Sequence, residues 1–300
     1  MTVRQLTVLM ALSLLFSCTT DATNPPQEPT TVEPVVTEKK VQQKKETDLS
    51  KKNLKGAVKK RVVWVYASDE TGKMDENALK GGVEVTYNEA GNKLDWKSYD
   101  GKKQLLEAWN FIYNEKGQLK EKITTNDAVV RQMYYRYNSE KQIEHTEEHS
   151  NGTMIKATSY RYNDAGNLVW SHSFFEGSSS ESKRKQRYNA KNQLLELQVY
   201  DEHDVVQLKK VFGYNEQGYI SEQAIYSGSN VPSYKRQLVY DEQGNCTKDW
   251  AYQGDGKRNE RDAFNYHYTY DEQGNWRTKT KTTPDNKPLE YSTQTLVYFK

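Results

Sequence analysis

The chain has 300 residues, of which 43 are basic and 41 acidic, giving a formal charge of +2, and only 35% are hydrophobic. Its mean hydropathy is −1.01, yet it carries 22 Tyr and 6 Trp. This balance excludes a thick aliphatic core and a global bias toward nucleic acid. It fits a thin sheet array whose buried face is made of amphipathic aromatics.

Residues 1–17 place one Arg before an apolar run from Leu6 to Phe16, the layout of a secretory signal. The segment Leu15-Phe16-Ser17-Cys18 resembles the lipobox of bacterial lipoproteins. That resemblance implies cleavage before Cys18 and acylation of its thiol and new amine, with several acyl chains anchoring stably where one is marginal. Residues 18–60 follow as a Pro- and Lys-rich segment; from 19 to 60 there is no aromatic residue. The composition predicts a disordered tether. No segment after the leader is long and apolar enough to span a membrane as a helix.

From residue 61 to 300 the chain reads as one repeat domain. Arg61 to Tyr66 (RVVWVY) is a β-branched opening strand, and Asp69-Glu70-Thr71-Gly72 is a degenerate turn. Then a Tyr followed by Asn or Asp recurs at Tyr87, Tyr113, Tyr137, Tyr162, Tyr188, Tyr214, Tyr240 and Tyr270, in steps of 24 to 30 residues. A fixed period means one structural unit copied along the chain. Six copies carry Gly at the fourth position after the Tyr: Gly91, Gly117, Gly166, Gly218, Gly244 and Gly274. This is the chemistry of a three-residue hairpin loop that opens on an Asx side chain and closes in the left-handed region. Lys141 and Asn192 replace the Gly in the other two copies. The turn sets each Tyr opposite the residue six later, which is apolar in every copy except Lys93. Because Leu94 follows Lys93, the first hairpin is expected to slip or fray.

Looser, turn-rich segments join one hairpin to the next, near Asp100-Gly101, Asn151-Gly152 or Gly254-Gly256. The last segment, TLVYFK, puts Tyr298 at the repeat position and ends on half a repeat, a closing strand. The fold class is therefore all-β: an antiparallel β-hairpin repeat array of about eighteen strands. At about 4.8 Å per strand it would run roughly 85 Å if flat. Sheets that wide twist and curl, so a rolled or spiral strip is expected.

Little in the chain points to catalysis. His145-Thr146-Glu147-Glu148-His149 matches an inverted zinc-peptidase motif, but it falls on a returning strand. Residues four apart on a strand are separated by about 13 Å, too far for two ligands of one ion. His172, His203 and His267 are scattered, and no phosphate-binding or dinucleotide loop is present. Turn carboxylates such as Asp241 and Asp271 read as turn formers. Cys246 replaces the Leu or Ile of other copies as a small buried residue. No enzyme, no metal and no cofactor are expected.

The units YNEAGNKL, YNDAGNLV, YNEQGYIS, YDEQGNCT and YDEQGNWR resemble the YD repeats of RHS proteins over roughly residues 61–300. The resemblance implies spiralling hairpin strips; in large members these close a shell around a toxic C-terminal domain. This chain has too few repeats for a large shell. The resemblance further implies an extracytoplasmic role, with carbohydrate or cell-surface binding. The expectation is a non-catalytic binding or scaffold module in the bacterial cell envelope, held on membrane lipid, more fittingly the outer membrane, by acylated Cys18. Its partners would be a cell-wall or surface glycan, with Trp96, Trp109, Trp170, Trp250 and Trp276 as candidate stacking platforms, and no nucleic acid. The alternative is an envelope structural or RHS-toxin-associated accessory protein that docks a protein partner through an edge strand or concave face.

Overall fold

The structure, a computed structural model, describes residues 47–300 apart from 70, 127 and 128. The leader, Cys18 and the tether up to residue 46 lie outside the described residues. After a one-turn helix α1 (Asp48–Lys51), the strands are β1 (Val58–Ser68), β2 (Met74–Tyr87), β3 (Lys93–Asp100), β4 (Leu105–Tyr113), β5 (Leu119–Asn126) and β6 (Val129–Tyr137). There follow β7 (Ile143–Ser150), β8 (Thr153–Tyr162), β9 (Leu168–Phe175), β10 (Glu181–Tyr188), β11 (Leu194–Tyr200) and β12 (Val206–Tyr214). The last six are β13 (Ile220–Tyr226), β14 (Tyr234–Tyr240), β15 (Cys246–Gln253), β16 (Arg258–Tyr270), β17 (Trp276–Thr282) and β18 (Pro288–Tyr298).

One turn, repeated, sets the register. After Tyr87 the Asn88 N–H donates to the Asn92 carbonyl and the Gly91 N–H to the Asn88 carbonyl. The same pair of bonds closes the turns that begin at Asn114, Asn138, Asn163, Asn189, Asn215, Asp241 and Asp271. The Asx side chain adds to them: Asn114 Oδ1 accepts from the N–H of Lys116 and of Gln118. The fourth residue is left-handed in every copy, with φ of 68° at Gly117, 65° at Lys141 and 60° at Asn192. The two copies without Gly keep the turn at a backbone cost of about 1–2 kcal/mol for Lys and less for Asn. All eight repeat Tyr then face the residue six later, from Tyr87 opposite Lys93 to Tyr270 opposite Trp276. A one-residue bulge lies beside each pair and sharpens the local twist.

The first hairpin corrects the expectation of a slip. Lys93 holds the common register because Asp48 accepts its backbone N–H at 2.9 Å and sits 3.8 Å from its Nζ. Leu94 takes the bulge position and stays exposed. The joining loops are also more regular than their sequences. Those at Asp69, Asp100, Asp201, Gln253 and Thr283 repeat the bonds of the tight turn. Asn151-Gly152, at φ 48° and 82°, makes a two-residue turn with Ser150 opposite Thr153.

Consecutive strands pair antiparallel from β1 to β18, and β1 pairs with both β2 and β18. The sheet is a closed eighteen-stranded barrel, so the expected curling goes as far as closure. Closure follows from the half repeat: Tyr298 to Glu290 run opposite Val58 to Ala67 and satisfy the two remaining edges of the sheet. A perimeter of roughly 85 Å gives a width of roughly 27 Å before strand tilt, too wide for one layer of side chains to fill.

Directly opposed residues share a face, so the registers can be followed round the ring. The repeat Tyr, Val63, Val85, Thr124, Thr146, Thr158, Ser171 and Ser292 lie on one face and are the less exposed set. Ile112, Val239 and Val297, each one residue before a repeat Tyr position, point the other way and are exposed. The Tyr face is the inner wall. Among the described residues its hydrophobic cluster lies where the ring closes, where Leu49, Leu54, Val58, Val85 and Tyr87 form one core with Trp96, Leu296 and Tyr298 against it. The folded unit therefore begins before residue 61. Residues 47–60, assigned to the tether by composition, include Val58, the first residue of β1, and Leu49 and Leu54, which lie over the seam. Polar bonds fix them there: the Leu49 N–H donates to Gly91, Asn53 Nδ2 to Gln243, and Asn275 clasps the Lys55 backbone on both sides.

Candidate ligand-binding surfaces

The repeat Tyr side chains are structural. From Tyr113 to Tyr240 each hydroxyl reaches sideways to the preceding hairpin and donates to the carbonyl of the residue opposite the previous repeat Tyr. Tyr113 donates to Lys93 at 2.7 Å, Tyr137 to Leu119 at 2.8 Å, and Tyr162 to Ile143 at 2.9 Å. Tyr188, Tyr214 and Tyr240 continue the series to Leu168, Leu194 and Ile220. The longer last step breaks it. Tyr268 takes the carbonyl of Cys246 at 2.9 Å, and Tyr270 bonds the Asp241 carboxylate instead. Burial pushes Tyr135, Tyr240 and Tyr266 up to about 12. Cys246 is a free thiol on the same wall, bonded to the Lys248 carbonyl and pushed up to about 11 by burial and then by Asp249.

The five candidate Trp do not gather. Trp96 and Trp109 face each other across neighbouring strands on the inner wall, with Lys122 Nζ 3.2 Å above the Trp109 ring. Trp276 is also inward, beneath Arg61 and Lys279. Trp170 and Trp250 point outward. The sequence reading left out Trp64, which lies outside the repeats; it is outward too, 5.6 Å from Tyr99.

The outer face carries a band that the reading missed. The residue twelve after a repeat Tyr is Tyr99, His149, Phe174, Tyr200, Tyr226 or Tyr252 in six of the eight copies. All six point outward, next to the joining loops. The signal was legible as a second fixed offset from the Tyr. Trp170, His172 and Phe174 stack along β9 at 5.4 and 4.1 Å, with Arg161 4.5 Å over Trp170. Lys185 covers Tyr200 at 4.9 Å and Lys209 covers Tyr226 at 4.3 Å. Between these hairpins an open groove of about 470 Å³ is lined by Gln198, Val205, Val206, Lys209, Tyr226 and residues 228–230. Leu105, Leu106, Phe174, Val205, Val206 and Val231 are exposed at this same rim. An aromatic face flanked by an ammonium and an amide can stack a sugar ring and bond its hydroxyls.

On β7 the His145 and His149 rings both turn to the Glu147 carboxylate between them, each at 3.4 Å. They lie on a strand, as the sequence indicates.

The fold and its surfaces define a closed antiparallel up-and-down barrel with a tyrosine-stitched wall and an outer aromatic band. No protein-family model and no curated protein matches the sequence. Among solved structures, a porin-like protein from Bacteroides uniformis aligns at 9% identity and TM-score 0.41 over 80% of this chain and 96% of that one. A porin-like protein from Bacteroides vulgatus aligns at 10% identity and TM-score 0.30, over 82% and 99%. The TcdB2-TccC3 protein aligns at 10% identity and TM-score 0.31, where the chain spans 75% of its own length and 16% of the other's.

Proposed function

We propose that this chain is a lipid-anchored envelope protein of the YD-repeat type whose barrel binds carbohydrate without catalysis at its outer rim. The observation that carries the reading is the groove at Tyr226, where an aromatic face, Lys209 and Gln198 converge on open space. The wall itself argues for a barrel that stands off the membrane. A transmembrane barrel presents an apolar band about 25 Å tall to lipid. Here the outward mid-strand positions include Glu84, Lys97, Glu147, Lys185, Glu222 and Lys235. Anchoring would then rest on acylated Cys18. The test is co-sedimentation of the chain with cell-wall sacculi and insoluble glycans, with tryptophan fluorescence in parallel. Saturable binding that Tyr226→Ala weakens supports the reading; equal binding by that variant, or none by the parent, overturns it.

A second reading, docking of an envelope or toxin-associated protein, is favoured by the exposed Val205, Val206 and Val231 beside the same groove. The closed ring corrects its expected mode. Among the described residues no free edge strand is left for β-augmentation, so a partner would use the apolar side chains of the rim.

A further inference from the structure

Cations at the seam are less fully paired than several elsewhere on the wall, among them the inward Arg236, which bonds the Asp249 carboxylate. Outside, Lys60 meets Glu84 at 2.9 Å, Lys235 meets Glu222 at 3.0 Å, and Lys183 meets Asp204 at 2.8 Å. Inside, at the seam, Arg61 on β1 and Lys279 on β17 flank the Trp276 ring, each 5.8 Å from its centroid. Lys281, one pleat further along the same face, stands 3.7 Å over Phe264. Arg61 bonds only a neutral amide, Gln294 Oε1, and lies against the Tyr87 hydroxyl. Glu290 is the carboxylate that acts on Lys279, Asp249 on the same face being held by Arg236. Glu290 is shared between Lys281 at 3.8 Å and Lys80 at 3.2 Å.

We infer that this inner wall binds an oxyanion, the carboxylate of an acidic sugar or a phosphate, between Arg61, Lys279 and Lys281. Charge complementarity selects the occupant: several cations crowd one carboxylate on a partly desolvated surface, where a counter-charge is worth more than in water. Burial holds Arg61 and Lys279 below their usual ranges. Glu290 pulls Lys279 back only in part, against Arg61 and Lys281. Access comes from the lumen, since the Lys281 side chain keeps 23% of its surface exposed. The Trp276 ring between two cations offers a stacking face for a sugar that carries the anion. This site lies on the opposite face of the wall from the Tyr226 groove and does not depend on it.

The test is calorimetric titration of the full chain with three probes: a trigalacturonate, a neutral trisaccharide and inorganic phosphate. Binding of trigalacturonate alone identifies a sugar acid, and binding of phosphate as well identifies a general oxyanion site. Either should weaken at least about tenfold in Lys279→Met and in Lys281→Gln, and remain in the outward Lys235→Gln. Lys279→Met keeps the aliphatic stem and removes a half-buried charge, so its melting temperature should match or exceed the parent's. If it misfolds, the more exposed Lys281→Gln carries the test. Failure of the parent to bind either anion overturns the inference, as does an equal loss in Lys235→Gln.

Discussion

At the seam, β1, β2 and β18 bury Val58, Val63, Val85 and Tyr87 beneath Leu49 and Leu54. Across the ring, β8 to β13 bury only Thr158, Ser171 and Ala224. Both regions are built from the same hairpin with the same turn bonds; on the far wall the Tyr hydroxyl reaches to its neighbour, whereas that of Tyr87 at the seam does not. The difference shows two separable layers of stabilisation. Backbone pairing, turns and the tyrosine ladder suffice to continue the wall, while hydrophobic burial is concentrated where the first strand must find the last. The N-terminal segment, with no strand of its own, supplies the lid that makes this burial possible.

The sharpest way to break that comparison is to empty the seam. Tyr87→Ala should cost about 3–5 kcal/mol in urea unfolding, as large-to-small core changes do. Tyr188→Ala on the far wall should cost about 2 kcal/mol, for a half-buried ring and one hydrogen bond. Equal losses would mean that the seam has no special place in stability.

Alkali should attack both regions. A phenol raised by burial is held neutral by the folded state, so ionisation favours unfolding. Stability is full below the unfolded tyrosine pKa of about 10 and is lost as pH rises through about 12, the range to which Tyr135, Tyr240 and Tyr266 are pushed. Tyrosinate absorbance and circular dichroism should change together across that window. Tyrosinate formation in an intact barrel near pH 10 would contradict the buried ladder.

Smaller changes separate the hydroxyls. Tyr214→Phe removes a bond to the Leu194 carbonyl, at a cost of about 1 kcal/mol. The Tyr87 hydroxyl is buried without a partner of normal geometry, although the Arg61 guanidinium lies beside it. Tyr87→Phe should therefore be neutral or stabilising in the same unfolding assay. A loss of about 1 kcal/mol there would show that Arg61 makes a true bond. The smallest effect belongs to the turns. Lys141→Gly relieves a left-handed Lys at φ 65° and should raise the melting temperature slightly, by about 0.5–1 kcal/mol of stability. Gly117→Ala, at φ 68° with no atom near its absent side chain, should lower stability by about 1 kcal/mol through backbone strain alone.

Most of the wall was legible because its determinants are local. An Asx residue, a left-handed fourth position and an opposing residue six later fix each hairpin within ten residues, and even the Lys141 copy conforms. What was not legible depends on distant segments. Val58 to Ala67 pairs with Glu290 to Tyr298 across more than two hundred residues, and nothing local says whether a curling strip will meet itself. Leu49 and Leu54 look like isolated apolar residues in a lysine-rich stretch until the Tyr87 surface they cover is known. The split of the Trp set follows from parity along each strand, which the bulge beside every repeat Tyr reverses. Counting from the Tyr across that bulge places Trp96 and Trp276 inward but Trp170 and Trp250 outward.

The tyrosine ladder has a direction. From Tyr113 onward every repeat hydroxyl reaches back to the hairpin made before it, never forward, so each of these units finds its acceptor already in place as the polypeptide emerges from the amino end. Growth of the wall can keep pace with synthesis or translocation, one hairpin at a time. Ring closure cannot. Until Glu290 to Tyr298 arrives, β1 carries a bare edge of alternating valines, open to pairing with another nascent chain. A block of the last strand, as in a stop codon before Pro288, would leave seventeen strands paired and two edges exposed. The consequence would be seen as self-association and loss of yield more than as loss of secondary structure.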